Sequence, residues 1–179
     1  MHNRNEHTHA PEPEGQPGWT RINIPMHAIV GESFVSGDPD VRRLRVAYFI
    51  HEEEKRLYAR AWFGKGAQGP PGYAHGGSIS AVLDEAMGMA AWLDGHPVVA
   101  AALNVQFKMS VPLGTDCIVS TWVLKTEGRK ITVQGRLSHP DTDDLFAHSE
   151  GLFITQPMER FGEFGALREE VLQDKEISN

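Results

Sequence analysis

One long helical pattern, opened by two glycines, limits what this chain can fold into. Apolar side chains recur at spacings of three and four from Ile79 to Ala90, which predicts a helix over residues 77–93 with one buried face. A Gly-His-Pro step at residues 95–97 then ends the helix. The middle of the chain carries no second pattern of this length, so strands must cover the apolar face.

Segments on both sides of this helix alternate apolar and polar side chains with the period of two that strands show. Six strands are predicted, over residues 44–50, 56–63, 103–111, 117–125, 129–138 and 145–155. The connections are too short for crossover helices, so the strands pair antiparallel and the last four form a meander. A single helix packed on an antiparallel sheet is an α+β arrangement.

The chain has 179 residues, which is enough for one domain with a real core. Residues 1–18 are rich in His, Pro, Glu and Gly and are predicted to be a disordered tail. Residues 19–43 are interpreted as an N-terminal extension of the main domain, which covers residues 44–157. Residues 158–179 are predicted to form a short amphipathic helix and a tail, the helix carrying Phe161, Phe164 and Leu167.

Charge and composition argue against several classes of function. The net charge of −7 disfavours broad binding of nucleic acid. No apolar run reaches the length of a membrane span, and the first residues lack the apolar core of a signal peptide. Cys117 is the only cysteine, so no intrachain disulfide can form and no zinc cluster is indicated. We therefore expect a cytoplasmic protein without a membrane, nucleic-acid or metal partner.

The His75-Gly76-Gly77 step directly before the helix is the strongest chemical motif. Two glycines let another group approach the backbone closely, because neither carries a Cβ. The first N–H groups of a helix have no intrahelical partners and carry partial positive charge, so they can receive a polarised carbonyl oxygen. Asp84 lies about two turns further along the same helix, where its carboxylate can act on whatever the N-terminus holds.

Ser80 and Gly88 lie one turn on either side of Asp84 and share its face of the helix. A glycine in mid-helix costs about 1 kcal/mol relative to alanine. Two explanations for Gly88 stay open: room for a ligand, or a crossing at which small residues let two helices approach. Ser80 and Gly88 are therefore candidate binding residues.

Six segments of the chain carry a resemblance to a known family: residues 69–77, 84–88, 102–107, 111–113, 128–130 and 147–153. They resemble hot-dog fold acyl-CoA thioesterases of the PaaI-like type, in the 4-hydroxybenzoyl-CoA thioesterase superfamily. The resemblance extends over roughly residues 41–155. It implies the hot-dog fold, in which a curved antiparallel sheet wraps a long central helix.

The resemblance also implies an activity, the hydrolysis of an acyl-CoA thioester to the free acid and coenzyme A. By similarity, the Gly76 N–H polarises the thioester carbonyl, and Asp84 is the catalytic carboxylate that activates water or attacks directly. Gly77 completes the motif, and His75 is expected to orient the loop or cap a carbonyl. The family needs no metal, and coenzyme A enters only as part of the substrate.

Other positions are assigned by the same similarity. Arg129 and Lys130 stand at a hairpin start where relatives contact the nucleotide of coenzyme A. Many relatives carry Ser or Thr on the strand after the helix, and the matching position here is Ala100. Asn104, or Ser80 on the helix, is the candidate to replace that hydroxyl.

The departures from the family pattern keep other functions open. Some relatives carry Asn or Gln six residues before the histidine, where this chain has Gly69. With Ala100, this leaves a non-catalytic acyl-CoA binding protein of the same fold as an alternative. A hot-dog dehydratase or hydratase ranks third, because it would need a catalytic histidine paired with an acid across a dimer and His75 lies in a different motif.

The spacing of the two main site residues predicts a shared site. Gly76 and Asp84 are eight residues apart, which is ~12 Å along a helix axis, so one thioester cannot touch both in one subunit. We therefore expect a homodimer in which an antiparallel copy of the helix brings its Asp84 to the first Gly76. The family also forms tetramers, and pairing of two dimers stays open. The residues expected to let two helices approach are Ala86, Gly88, Ala90 and Ala91.

Overall fold

The computed structural model describes residues 12–24, 33–36, 42–162 and 171, and in these residues a seven-stranded sheet packs on one long helix. The helix, α1, spans Gly76–Leu93. All strand pairs are antiparallel, so the predicted α+β arrangement and the curved hot-dog sheet are confirmed. The strands are β1 (Thr20–Ile22), β2 (Leu44–His51), β3 (Arg56–Phe63), β4 (Val98–Phe107), β5 (Asp116–Glu127), β6 (Lys130–Ser138) and β7 (Leu145–Thr155).

The strand order differs from the prediction in one respect. The order is β1-β2-β3-β5-β6-β7-β4, so β5, β6 and β7 form a meander but β4 does not precede β5 in the sheet. The predicted four-stranded meander is therefore wrong. Helix α1 carries the chain across the face of the sheet, so that β4 pairs with β7 at the far edge and β5 returns to the free edge of β3. Among the described residues, one side of β4 has no partner strand.

The bounds of β4 also differ from the predicted strand over residues 103–111. The strand covers Val98–Phe107, and Phe107 and Met109 are 51% and 43% exposed where the alternation predicts burial. The ladder stops at Phe107 because the N–H groups of Lys108 and Met109 both donate to the Phe146 carbonyl, at 2.8 and 3.1 Å. The start of the strand at Val98 was not predicted because residues 100–102 are alanines, and alanine has a low strand propensity.

One face of α1 forms the centre of the core. Val82, Leu83 and Met87 are fully buried against the sheet. A Cβ on Gly135 of β6 would lie 3.2 Å from atoms of both Leu83 and Met87, so the glycine allows the helix to lie close to the sheet. The 3.6-residue period that predicts α1 therefore also positions the helix on the sheet.

The expected contact between two helices through Ala86, Ala90 and Ala91 is wrong. These three alanines are at most 7% exposed and pack inside their own subunit, because they belong to the apolar face that covers the sheet. A second copy of the chain would have to contact another surface.

Residues 12–18 pack against the sheet and do not form a free tail, which corrects the predicted boundary of the disordered segment. Glu12 forms an ion pair with Arg45, and Gly15 lies against the Phe49 ring, where a Cβ on the glycine would be 3.0 Å from Cε1. An ion pair and one aromatic contact anchor this segment, so it needs no apolar period. The earlier part of the predicted tail lies outside the described residues.

The ends of the chain depart from the prediction in two further ways. Strand β1, which the sequence analysis does not predict, pairs with β2 inside the N-terminal extension. The predicted C-terminal helix begins as a 3-10 turn over Met158–Phe161, and Val171 is helical and buried in the core. Phe164 and Leu167 lie outside the described residues.

Thr121 on β5 joins the helix to the sheet through a fully buried hydroxyl. Its Oγ1 lies 3.2 Å from the Leu57 carbonyl and 3.3 Å from the Ala86 carbonyl. We expect Thr121→Val to lower the free energy of unfolding by about 1–3 kcal/mol, because two buried carbonyls lose a donor. Urea unfolding measures this change. Thr132→Val on the partly exposed face of β6 is the matched control, and an equal loss there would contradict the assignment.

Candidate active site

His75 is the N-cap of α1 and holds the loop before it. Its ring Nδ1 accepts a hydrogen bond from the Gly77 N–H at 2.8 Å, and its backbone N–H donates to the Ala67 carbonyl at 2.7 Å. Its carbonyl accepts from the N–H groups of Ser78 and Ile79. His75 does orient the loop, but its imidazole caps an N–H group where a carbonyl was the expected partner.

The Gly76 N–H is the one unused donor at the start of α1. The next three N–H groups of the helix all bond to His75, whereas the Gly76 N–H has no hydrogen-bond partner among the described residues. The edge of the Phe107 ring lies close by, since a Cβ on Gly76 would be 3.2 Å from its Cζ. A free N–H at a helix N-terminus suits a polarised carbonyl oxygen or an oxyanion.

Gly69 differs from the Asn or Gln of some relatives for a steric reason. A Cβ on Gly69 would lie 2.9 Å from the Cα of His75, so a side chain at this position collides with the backbone of the cap. The loop of this chain is therefore built around a glycine at residue 69, and a side-chain amide cannot assist the carbonyl from there.

Asp84 lies in a cavity of about 360 Å³ between α1 and β4. The carboxylate is half-buried, and its Oδ1 is buried without a hydrogen-bond partner among the described residues. Burial raises the pKa of Asp84 above its usual value, since the apolar surroundings disfavour the charged form. An unpaired carboxylate beside an open cavity is a candidate for proton transfer.

The wall opposite Asp84 is a run of small residues on β4, which the sequence analysis did not recognise as one wall. Residues 100–103 line the cavity, and a bulge places Ala101 between the ladder positions of Ala100 and Ala102. Bulges are common next to active sites because they re-aim side chains. The run of three alanines was the available signal, but it was read as a missing hydroxyl at Ala100.

Ser80 and Gly88 both share the face of Asp84, as the helical spacing predicts. Ser80 lines the same cavity, and its Oγ donates to the Gly76 carbonyl at 2.9 Å. A Cβ on Gly88 would meet only the Phe153 ring, at an ordinary 3.6 Å. Packing inside the subunit therefore does not require a glycine at this position.

Asn104 does not join this site within one subunit. Leu103 lines the Asp84 cavity, and successive side chains of a strand point to opposite faces of the sheet. Asn104 accordingly lines a separate polar cavity of about 380 Å³ with Gln134 and Glu150. Within one subunit Asn104 therefore does not lie beside Asp84, and its replacement of the missing hydroxyl stays a prediction.

Arg129 and Lys130 lie near the site but outside the cavity. They follow the β5–β6 turn, and both are exposed. The guanidinium of Arg129 donates from Nε and Nη2 to the Thr155 carbonyl, at 3.2 Å each. Thr155 pairs with Val98, the first residue of β4, so both cations lie at the end of the sheet where the small-residue wall begins.

Glu85, the neighbour of Asp84 in sequence, has a structural role. Its Oε1 accepts a hydrogen bond from the Tyr48 hydroxyl at 2.7 Å. Burial raises the pKa of Glu85, and the hydrogen bond from Tyr48 partly offsets that effect. A carboxyl that is already bonded and faces β2 is not available to a ligand beside Asp84.

The described part of the chain shows neither a grouped set of metal ligands nor a membrane-spanning helix. Within residues 12–24, 33–36 and 42–162, no three His, Cys, Asp or Glu side chains are grouped so that they could hold a metal ion. In the same part of the chain, no helix has both the length and the apolar character needed to cross a bilayer.

Comparison with known proteins matches this fold and site to one family. The model of the thioesterase superfamily matches residues 71–145, which include His75, Asp84 and β4. The acyl-coenzyme A thioesterase THEM4 of Xenopus laevis is 32% identical over 149 residues, covering 76% of this chain and 67% of that protein. The chain spans only about half the length of the mammalian THEM4 and THEM5 thioesterases it matches, 45% to 50% of each.

Solved structures share the fold at low sequence identity. The zebrafish thioesterase superfamily member 2 superposes with a TM-score of 0.60 at 16% identity, covering 73% of this chain and 93% of that one. A Streptococcus mutans protein, solved bound to acetyl-CoA, gives a TM-score of 0.54 at 15% identity, covering 57% of this chain and 82% of its own.

The unpaired carboxylate generates a prediction for stability. We expect Asp84→Asn to raise the melting temperature at pH 7, because burial raises the folded pKa of this acid and its charge therefore destabilises the folded state. The gain should fade as the pH falls through about 4 towards about 3, because below the unfolded-state pKa of about 3.9 the carboxyl becomes neutral in both states. Thermal unfolding across this pH range measures the effect, and Asp141→Asn in an exposed turn is the control. A lower melting temperature at pH 7 would contradict the prediction and indicate a donor to Asp84 from outside the described residues.

Proposed function

This chain belongs to the thioesterase superfamily, and we propose that it hydrolyses an acyl-CoA thioester in a site shared by two subunits. One observation carries the proposal: a free Gly76 N–H and an unpaired Asp84 carboxylate lie on one helix with no competing partners among the described residues. Acyl-CoA is the proposed ligand class because relatives are named acyl-coenzyme A thioesterases and a structural neighbour was solved with acetyl-CoA.

Each group has a defined part in the proposed reaction. The thioester carbonyl oxygen accepts a hydrogen bond from the Gly76 N–H at the positive end of α1. The Asp84 carboxylate takes a proton from water, and the resulting hydroxide attacks the carbonyl carbon. The negative charge that develops on the oxygen is stabilised by the same N–H. The carbon–sulfur bond then breaks, and the proton held by Asp84 passes to the departing thiolate, which releases coenzyme A and the acid. No step needs a metal or an added cofactor, so we propose none.

The raised pKa of Asp84 suits this role. A general base acts best when its pKa lies near the working pH, and burial moves the pKa of Asp84 in that direction. The cavity between Asp84 and the alanine wall leaves room for a water beside the carboxylate. Direct attack by Asp84 on the thioester uses the same geometry and stays open.

The two reacting groups cannot meet in one subunit. Gly76 begins α1 and Asp84 lies eight residues later, ~12 Å along the axis. The thioester carbon must lie within about 3–3.5 Å of the attacking atom while its carbonyl oxygen accepts a hydrogen bond from the donor. The proposal therefore requires a second copy of the chain.

The free edge of β4 supplies the surface for that copy. This strand is ten residues long, ends the sheet, and carries no charged side chain from Val98 to Phe107. A long, uncharged, unpaired edge is a template for pairing with another strand. We propose that two copies of β4 pair antiparallel across a two-fold axis, in place of a helix contact through the buried Ala86, Ala90 and Ala91.

This pairing brings the separated groups together. Antiparallel pairing over the whole strand sets Val98 opposite the partner's Phe107. Phe107 lies beside Gly76 in its own subunit, so the partner's Gly76 comes to the end of β4 where the alanine wall of the Asp84 cavity begins. The dimer would carry two equivalent sites, each with an N–H from one chain and a carboxylate from the other. A tetramer stays a prediction, as does a cytoplasmic location.

We propose that Arg129 and Lys130 bind the phosphates of coenzyme A. Both lie at the end of the sheet where Val98 begins β4, next to the proposed mouth of the shared site. Arg129 is already oriented by the Thr155 carbonyl, which leaves its remaining N–H groups free to bind an anion.

Binding without catalysis is the second candidate function. Ala100 carries no hydroxyl and Gly69 no amide, so two side-chain aids of relatives are absent. A panel of short, aromatic and long acyl-CoAs distinguishes the two functions. Thiol release with at least one of them supports the thioesterase, and calorimetric binding without thiol release with any of them supports the binding protein.

We expect Asp84→Asn to lower thioester turnover at least about a hundredfold, as is usual when a general base is lost. The fold should stay intact by circular dichroism, since the two side chains have the same shape. Glu85→Gln is the matched control, because that neighbouring carboxyl faces Tyr48, and it should keep turnover within a few-fold. Near-normal turnover of Asp84→Asn would make Asp84 structural.

Mixing two inactive variants tests the shared site. Gly76→Pro removes the N–H, and the N-cap backbone of His75, at φ −68 and ψ 138, tolerates a following proline. Its mixed dimer with Asp84→Asn should regain one complete site and approach half of the wild-type turnover. Random exchange of equal amounts should then restore about a quarter overall.

The control for this experiment is Gly76→Ala, which adds the same Cβ against Phe107 but keeps the N–H. It should retain more activity than Gly76→Pro. Light scattering checks that each variant still assembles before mixing. If assembled variants exchange subunits and no turnover returns, Gly76 and Asp84 do not meet across the interface.

A further inference from the structure

We propose that His75 is a positioning residue whose neutral imidazole holds the Gly77 N–H and leaves the Gly76 N–H as the single donor presented to the substrate. The proposal rests on the proposed function for its catalytic consequence. The structural claim, that His75 holds the Gly77 N–H, rests on the loop geometry alone. His75 itself does not touch the reacting atoms in this assignment.

The loop is built to admit this imidazole. A Cβ on Gly77 would lie 2.9 Å from the Nδ1 of His75, and a Cβ on Gly69 would lie 2.9 Å from its Cα. Glycines therefore lie on both sides of His75 at distances that other residues could not keep. The His75 N–H is fixed as well, by its bond to the Ala67 carbonyl at 2.7 Å.

The hydrogen bond requires one protonation state. An Nδ1 that accepts from an N–H must offer its lone pair, so the proton of the neutral ring is on Nε2. A second proton would set an N–H against the Gly77 N–H and break the cap. The surrounding groups are uncharged: Ala67 and Gly69 on the loop and Gly77 on α1. Among the described residues no charged side chain is hydrogen-bonded or ion-paired to His75.

The cap has a consequence for catalysis. Because the Gly77 N–H is already bonded to His75, the thioester carbonyl oxygen has a single donor available, the Gly76 N–H. Without the cap, two adjacent N–H groups would compete for the oxygen and the loop could rotate. A displacement of about 1 Å at a reacting centre can cost on the order of a hundredfold in rate.

Three variants test the proposal. His75→Ala removes the acceptor and should lower kcat at least about tenfold with a smaller change in KM. His75→Asn restores an N-cap acceptor and should return kcat to within about threefold of wild type. His139→Ala is the matched control, because the Nδ1 of His139 accepts from the Asp141 N–H at 3.2 Å in the remote β6–β7 turn, and its kcat should not change.

Hydrogen exchange gives a readout that does not depend on turnover. The Gly77 amide should exchange several-fold faster in His75→Ala and at the wild-type rate in His75→Asn. Equal loss of kcat in both variants would overturn the proposal, because it would mean that the imidazole acts on the substrate. Unchanged exchange in His75→Ala would also overturn it. If the wild type hydrolyses no acyl-CoA, the proposed function fails, and the exchange rates still decide whether His75 holds Gly77.

Discussion

The burial of one face of α1 against the sheet is the interaction on which the rest of the structure depends. Val82, Leu83 and Met87 fill that face completely, and Gly135 lets the helix lie close to β6. Because the apolar face is fixed, the opposite face, with Asp84, must look towards β4. The same helix begins at Gly76, whose N–H has no hydrogen-bond partner among the described residues. The packing of this one helix face therefore positions both the Gly76 N–H and the Asp84 carboxylate, and the helix fixes their separation at about two turns.

The fold could be predicted well wherever a period was strong. The period of 3.6 gave α1 to within one residue, and the period of two gave β3 and β7 with their observed bounds. Strand β4 was misplaced because its first half is alanine and its predicted second half is bent away by the Phe146 carbonyl. Its position at the sheet edge was missed for another reason: chain order does not encode which strands become neighbours when a helix crosses the sheet.

The site was predictable where chemistry depends on local sequence. The positions of Gly76 and Asp84 on one helix follow from the helical pattern alone. The imidazole of His75 was expected near a carbonyl, and only the three-dimensional loop shows that it accepts from Gly77. The bulge at Ala101 and the outward turn of Asn104 depend on the β4–β7 register, which no local pattern reveals. Side chains whose role depends on register are the ones that sequence reasoning placed wrongly.

Three features of the isolated subunit leave polar groups without a protein partner. The Asp84 Oδ1 is buried without a donor, the Gly76 N–H lacks an acceptor, and one side of β4 lacks a partner strand among the described residues. Unpaired polar groups of this kind each carry a desolvation penalty of about 1–3 kcal/mol when buried. In the proposed dimer, all three lie along the same seam. A second β4 would satisfy the edge, and a thioester with its water would satisfy the carboxylate and the N–H. Keeping the carboxylate and the N–H unsatisfied until substrate arrives is what lets them respond to the charge that develops in the transition state, since groups already bonded within the protein would first have to release their partners.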